Sequence, residues 1–186
     1  MFIYLIAVGS VEKRLLLACA KNVKEVFGFE VRISDVPVYY KSAYNPHRGQ
    51  FSASKLLERI KAVHLPNMLK VVGITDVDLY EEGLNFVFGV GELNGRCALV
   101  SIHRLKTPDE RLFFERTFKE LNHELGHTFG LLHCNSPRCV MNFSNSVLEV
   151  DQKGRFFCEK CQKKAKALGY RVSTLQKALP DIWHTL

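Results

Sequence analysis

The sequence predicts an α/β fold, a mixed and twisted sheet with helices packed on it, in which one long helix stands out and the last third is poor in core. Three observations predict it. Residues 2–8 and 69–75 are apolar runs of strand length, and segments of helical period lie between them. Thr107-Pro108-Asp109-Glu110 opens a long helical pattern that runs to Gly130. Beyond Gly130 the apolar periodicity stops, and Cys134, Cys139, Cys158 and Cys161 cluster instead.

Each element has a local reason. Residues 2–8 are apolar, but Glu12, Lys13 and Arg14 cut the run short, and no basic residue precedes it. It reads as a buried strand and not as a signal peptide, despite Ala18-Cys19-Ala20. Residues 15–27 place Leu16, Cys19, Ala20, Val23 and Phe27 at helical spacing, and Gly28 ends the helix. Residues 29–33 alternate as a second strand. Residues 36–50 hold Pro37, Asn45-Pro46 and Gly49 and read as a loop. Ser52 or Ser54 can cap a helix that runs to about Val63, with Leu56, Leu57 and Ile60 inward. Residues 69–75 form a third strand, and 86–90 and 96–104 two more around a turn at 91–95. In the long helix, Thr107 is the expected cap, Pro108 the first helical residue and Glu110 the partner of a capping box. Leu112, Phe118, Leu121 and Leu125 face the core. Residues 131–157 read as loop, followed by a basic helix near 160–168. There is no repeat, low-complexity segment or long linker, so 1–186 reads as one domain, with 1–130 and 131–186 as its two parts.

Composition narrows the class. At 186 residues, 47% hydrophobic and 24% charged, the chain can bury a core and is neither disordered nor fibrous. No apolar run approaches the length that spans a bilayer, and a cytoplasmic protein is expected. The net charge is +7, partly from Lys160, Lys163, Lys164 and Lys166. These read as a solvated helix face, and no basic–aromatic motif supports nucleic-acid binding. Cys19 and Cys97 stand in apolar surroundings as small buried hydrophobes. His47, His64, His103 and His184 are isolated and carry no expected role.

The chemistry sits at the end of the long helix, His123-Glu124-Leu125-Gly126-His127-Thr128-Phe129-Gly130-Leu131-Leu132-His133. Residues four apart stand on one helix face, so His123 and His127 can turn their ring nitrogens to one metal. Gly130 lets the chain reverse, and His133 can return as the third ligand. Three histidines leave the fourth position of a tetrahedral zinc open, which separates a catalytic site from a structural one. Glu124 projects about 100° around the helix from His123, beside the metal and not on it. There it can take a proton from metal-activated water and pass it to a leaving amine.

These residues carry the signature H-E-x-x-H-x-x-G-x-x-H, and the sequence resembles the archaemetzincins, a family of metzincin zinc metallopeptidases. The likeness continues through Cys134, Cys139, Met141 and the pair Cys158 and Cys161. It also takes in Asp78-Leu79, the segment 84–89, and Ser101 with Arg104, so that it is close over residues 70–165 and looser elsewhere. The resemblance implies a metzincin-like fold and two zinc ions, one catalytic and one structural. The second would be held by Cys134, Cys139, Cys158 and Cys161, with Met141 as a Met-turn under the histidines. The residues themselves support the second site: paired cysteines without an export signal are more often metal ligands than disulfides, and a CxxC knuckle at a helix start favours thiolate. His133 and Cys134 are neighbours, so one can face each metal. Some metzincins carry a metal-binding Tyr two residues after the Met; Phe143 stands there, and that ligand is absent. No pro-segment with a latency cysteine is expected. Residues 96–103 are the expected edge strand for an extended peptide. Arg48 and Gln50 match family positions, but no spacing gives them chemistry.

The expected function is peptide-bond hydrolysis on a peptide or protein substrate, with Glu124 as general base. The alternative is a zinc-stabilised module that binds peptides or proteins with little or no turnover.

Overall fold

A computed structural model describes residues 1–173; His184 and the rest of the tail lie outside them. The chain runs β1 (Phe2–Val8), α1 (Lys13–Phe27), β2 (Val31–Ser34), β3 (Tyr44–Asn45), β4 (Gln50–Ser52), α2 (Ala53–Lys61), β5 (Met68–Thr75), β6 (Leu79–Tyr80), β7 (Gly89–Gly91), β8 (Cys97–Ser101), α3 (Glu110–Thr128), α4 (Val147–Gln152) and α5 (Glu159–Ala167). One sheet has the order β2-β1-β5-β8-β7, parallel throughout except for the antiparallel pair β7–β8. A small sheet has the order β3-β4-β6.

Side-chain alternation builds two cores, one on each face of the main sheet. Ile3 and Leu5 of β1, Val72 and Ile74 of β5, and Ala98 and Val100 of β8 join α1 and α3 through Leu15, Val23, Phe118 and Leu125. Tyr4, Ile6 and Val8, with Val71 and Leu99, join α2 through Leu56 and Ile60 on the other face. Burying each such Leu, Ile or Phe contributes about 1.5–3 kcal/mol. This burial, more than helix propensity, sets α3 across the sheet with its C-terminal turn next to β7. Asn22 of α1 and Asn122 of α3 pair amide to amide at 2.8 and 3.3 Å, which satisfies two polar groups buried between the helices. Cys19 and Cys97 are buried in the apolar layers, as read from the sequence.

Four expectations change. Asp109, not Thr107, caps α3: its carboxylate accepts from Leu112 N at 3.0 Å, and a carboxylate suits the positive end of the helix better than a hydroxyl. Residues 36–50 are not all loop, because β3 and β4 recruit β6 into the small sheet. Residues 131–157 contain α4, capped by Ser146, whose hydroxyl accepts from Glu149 N. Finally, β8 is not an edge. It pairs with β5 on one side and β7 on the other, so the exposed edge next to α3 is β7.

Candidate metal centre and cleft

The last turns of α3 carry His123, Glu124 and His127, and Gly130 reverses the chain at φ +82°, a conformation that costs a glycine little. Gly130 N donates to His127 O at 2.9 Å and Leu131 N to Gly126 O at 3.1 Å, which closes the turn and returns His133. The donor atoms of His123, His127 and His133 all lie within 4.8 Å of one another.

Hydrogen bonds decide which nitrogens face inward. His123 Nδ1 lies 2.8 Å from Val140 O, and His127 Nδ1 lies 2.8 Å from Leu131 O. A carbonyl only accepts, so both Nδ1 atoms carry the proton and both Nε2 atoms present lone pairs. These Nε2 atoms face each other at 3.1 Å. Two lone pairs that close repel unless a cation lies between them. A tetrahedral zinc with bonds of about 2.0–2.1 Å separates two nitrogens by about 3.3 Å, so the donor set fits that ion. Burial holds His123 well below the usual histidine range, helped by the Lys153 ammonium, and burial also lowers His127 and His133. All three are kept in the neutral form that binds metal.

Glu124 is buried beside them on the cleft wall. Burial first, then the Glu120 carboxylate, push its pKa up to about 8, while Lys153 opposes them. The cleft has a volume of about 340 Å³, with Phe86, Phe88 and Phe143 on its walls and Glu120 and Glu124 along the helix side. Phe143 packs on the His133 ring at 5.0 Å between centroids.

The second cluster lies directly after the first. Cys134, Cys139, Cys158 and Cys161 also gather within 4.8 Å, and His133 and its neighbour Cys134 serve different clusters. Two of the S–S separations are 3.8 Å (Cys134–Cys158) and 3.7 Å (Cys139–Cys161). A tetrahedral zinc with bonds of about 2.3 Å sets its sulfurs about 3.8 Å apart, whereas a disulfide needs about 2.05 Å. The Cys139 thiol is brought down to about 5 by its contact with Cys161 and by backbone N–H groups, against the effect of burial. Cys161 is raised by that same neighbour, and Cys158 by burial. Four thiolates therefore coexist here only around a cation.

Several site residues escaped the sequence reading. Gly89 and Gly91 of β7 lie against Glu124 and His127, where any side chain would collide. Gly126 does the same for Met141: a Cβ there would stand 2.5 Å from Met141 Sδ, so Met141 packs directly under α3. Arg48 and Gln50 turn out to brace the cleft wall. Arg48 donates to the carbonyls of Leu84 and Asn85 at 2.8 and 3.1 Å, and Gln50 donates to Asn85 O and Asp78 Oδ2, both at 3.0 Å. Arg104 completes the brace with two 2.7 Å bonds to Asp78. The sequence held a signal for two of these: alternate glycines in a strand mark a close approach.

This fold and these two clusters define a zinc metallopeptidase. The model of peptidase family M54 matches residues 13–167, and the chain belongs to that family. The archaemetzincin of Methanocaldococcus jannaschii is 41% identical over 174 residues, covering 89% of this chain and 93% of that protein. The crystal structure of archaemetzincin from Methanopyrus kandleri superposes with a TM-score of 0.83 at 40% identity, covering 90% of this chain and 94% of that one. The archaemetzincin of Archaeoglobus fulgidus, solved in complex with malonate, superposes with a TM-score of 0.78 at 39% identity, covering 88% and 99%. The family and the metzincin-like fold read from the motif are thus borne out. Among the described residues, no helix is long and apolar enough to cross a membrane.

Proposed function

We propose that the chain hydrolyses peptide bonds with one zinc ion held by His123, His127 and His133, with Glu124 as general base, and with a second, structural zinc held by Cys134, Cys139, Cys158 and Cys161. The observation that carries the reading is the pair of Nε2 lone pairs 3.1 Å apart, with both Nδ1 atoms committed to carbonyls. A zinc ion so held supplies Lewis-acid chemistry, polarising a substrate carbonyl and making water a competent nucleophile at neutral pH. Glu124 removes the proton of the attacking water. It then passes that proton to the leaving amine. Met141 is the apolar floor of the histidine cluster.

The edge strand for the substrate is β7. Phe88 O accepts from Ser101 N and Glu92 N donates to Cys97 O, so Gly89 and Gly91 between them point their backbone groups away from β8. An extended peptide added there would run past Glu124 and the histidines. The aromatic walls favour an apolar side chain in the cleft.

The test is cleavage of a broad peptide library, with metal analysis, by wild type and Glu124→Gln. The expected result is cleavage by the wild type, lost in the variant with its metal retained. Equal activity in both would exclude Glu124 as the base. Tight peptide binding without cleavage by either protein would instead support the binding-module reading.

A further inference from the structure

The face of α3 that continues the histidine row towards the N-terminus is charged but buried. Arg116, Lys119 and Glu120 are at most 8% exposed, and so is Lys153, which follows α4. Arg116 binds Asp151 through two 2.6 Å bonds, and Lys119 Nζ donates to the carbonyls of Val150 and Asp151 at 3.0 Å. Lys153 Nζ pairs with Glu120 Oε1 at 2.8 Å and donates to Asn142 O at 3.2 Å. The same ammonium stands 3.5 Å from Nδ1 of His123, the nitrogen that meets Val140 O.

We propose that Glu120 and Lys153 are positioning residues for the catalytic metal: the pair fastens the segment 140–142 around Met141 to α3 at the level of His123, and so sets the direction of its Nε2. The inference rests on the reading of the three histidines as a zinc site. Stability alone gives little reason for such a pair. Burying a carboxylate and an ammonium costs several kcal/mol each, and well-packed apolar side chains of similar volume are often as stable or more so. Apolar side chains, however, cannot hold a particular carbonyl. Lys153 grips Asn142 O, next to Met141 and two residues from Val140, whose carbonyl orients His123. Charge balance matters as well. An ammonium behind a metal ligand repels the metal, and the Glu120 carboxylate 2.8 Å from that ammonium offsets it.

The experiment compares wild type with Glu120→Met/Lys153→Met, which removes both charges at once, and with Lys153→Arg and Glu120→Gln. Cobalt replaces zinc, because sulfur-to-metal charge-transfer bands set the thiolate site apart from the histidine site. The double variant is expected to unfold in urea at or above the wild-type midpoint. Its histidine-site metal affinity should fall roughly 10–100-fold, with a lower kcat and little change in KM. Lys153→Arg, which keeps the charge, should retain part of both. Glu120→Gln, which leaves the ammonium unbalanced, should lose metal affinity even if the double variant fails to fold. Wild-type affinity and kcat in the folded double variant, or wild-type affinity in Glu120→Gln, would overturn the inference and leave the zinc site standing. A wild type whose only bound cobalt is thiolate-ligated would overturn both.

Discussion

Gly89 of the edge strand lies directly against the side chain of Glu124: a Cβ on Gly89 would stand 2.6 Å from Glu124 Cγ and 2.6 Å from the Leu99 carbonyl oxygen. Leu99 O belongs to the sheet and cannot give way, so Gly89→Ala must push Glu124 aside. The expected outcome is a kcat roughly 10–100-fold lower and a stability loss of about 1–3 kcal/mol from overpacking. Metal content should not change. Steady-state kinetics with metal analysis checks this, and a wild-type kcat would refute the placement of Glu124 beneath β7.

Met141 is fully buried against Gly126. Met141→Ala should cost about 2–5 kcal/mol through lost contact and a cavity under the helix. Met141→Leu nearly conserves volume and should cost less than about 1.5 kcal/mol. Urea denaturation of the two variants provides the comparison. Equal costs would mean that the sulfur itself, and not the packing, matters at this position.

Cys158 caps α5 and lies within the cysteine cluster that includes Cys134, the residue after His133. Cys158→Ser should release one metal ion per chain, and amide exchange should quicken at Val140, whose N–H donates to Phe156 O at 2.9 Å. Activity should fall with it, because His133 is adjacent to Cys134. Mass spectrometry of the metal-loaded protein and hydrogen exchange give the readout. Unchanged exchange at Val140 would argue against a structural metal.

The pH dependence has two opposite parts when the histidine site holds no metal. The histidines are depressed below their unfolded value of 6.5, so the folded state binds fewer protons beneath that pH. Their stabilisation is complete above 6.5 and is lost as pH falls through the window below it. Glu124 is raised from 4.5 to about 8, so its stabilisation is complete below 4.5 and is lost as pH rises towards 8. Glu124→Gln should therefore remove the decline between about pH 4.5 and 8, and leave the curve as it was only below 4.5. Urea midpoints measured from pH 4 to 9 decide it; parallel curves for the two proteins would contradict the burial of this carboxyl.

Asp78 links Arg104 and Gln50 to the backbone of the cleft wall. Asp78→Ala should loosen residues 84–88 and raise KM, while histidine-site metal affinity stays at its wild-type value. Peptide kinetics alongside metal titration tests it. A drop in metal affinity of the same size would show that this network reaches the metal and not only the wall.

The two clusters were legible in the sequence because their geometry is largely local. His123 and His127 share a face through helical periodicity, Gly130 marks the reversal, and Cys158 and Cys161 form a knuckle within one turn. The beginning of α3 was read two residues early, because Thr107 and Asp109 can both cap and the sequence does not rank them in place. The edge strand was misjudged for a different reason: which of two hairpin strands lies outside depends on where β5 pairs. The inward charges were invisible, since Arg116, Lys119 and Glu120 look like a solvated helix face until Asp151 and Lys153, more than 30 positions on, meet them.

The sequence by itself brought out the histidine cluster, the candidate base and the α/β layering through the periods of helix and strand, and the four-cysteine cluster through a family resemblance. Tertiary structure alone decided that β7 is the edge over Glu124, that glycines clear the space for it, and that a buried ion pair stands behind His123. Those relationships join residues brought together by packing of the sheet and helices, and no short-range period encodes which distant side chain will arrive.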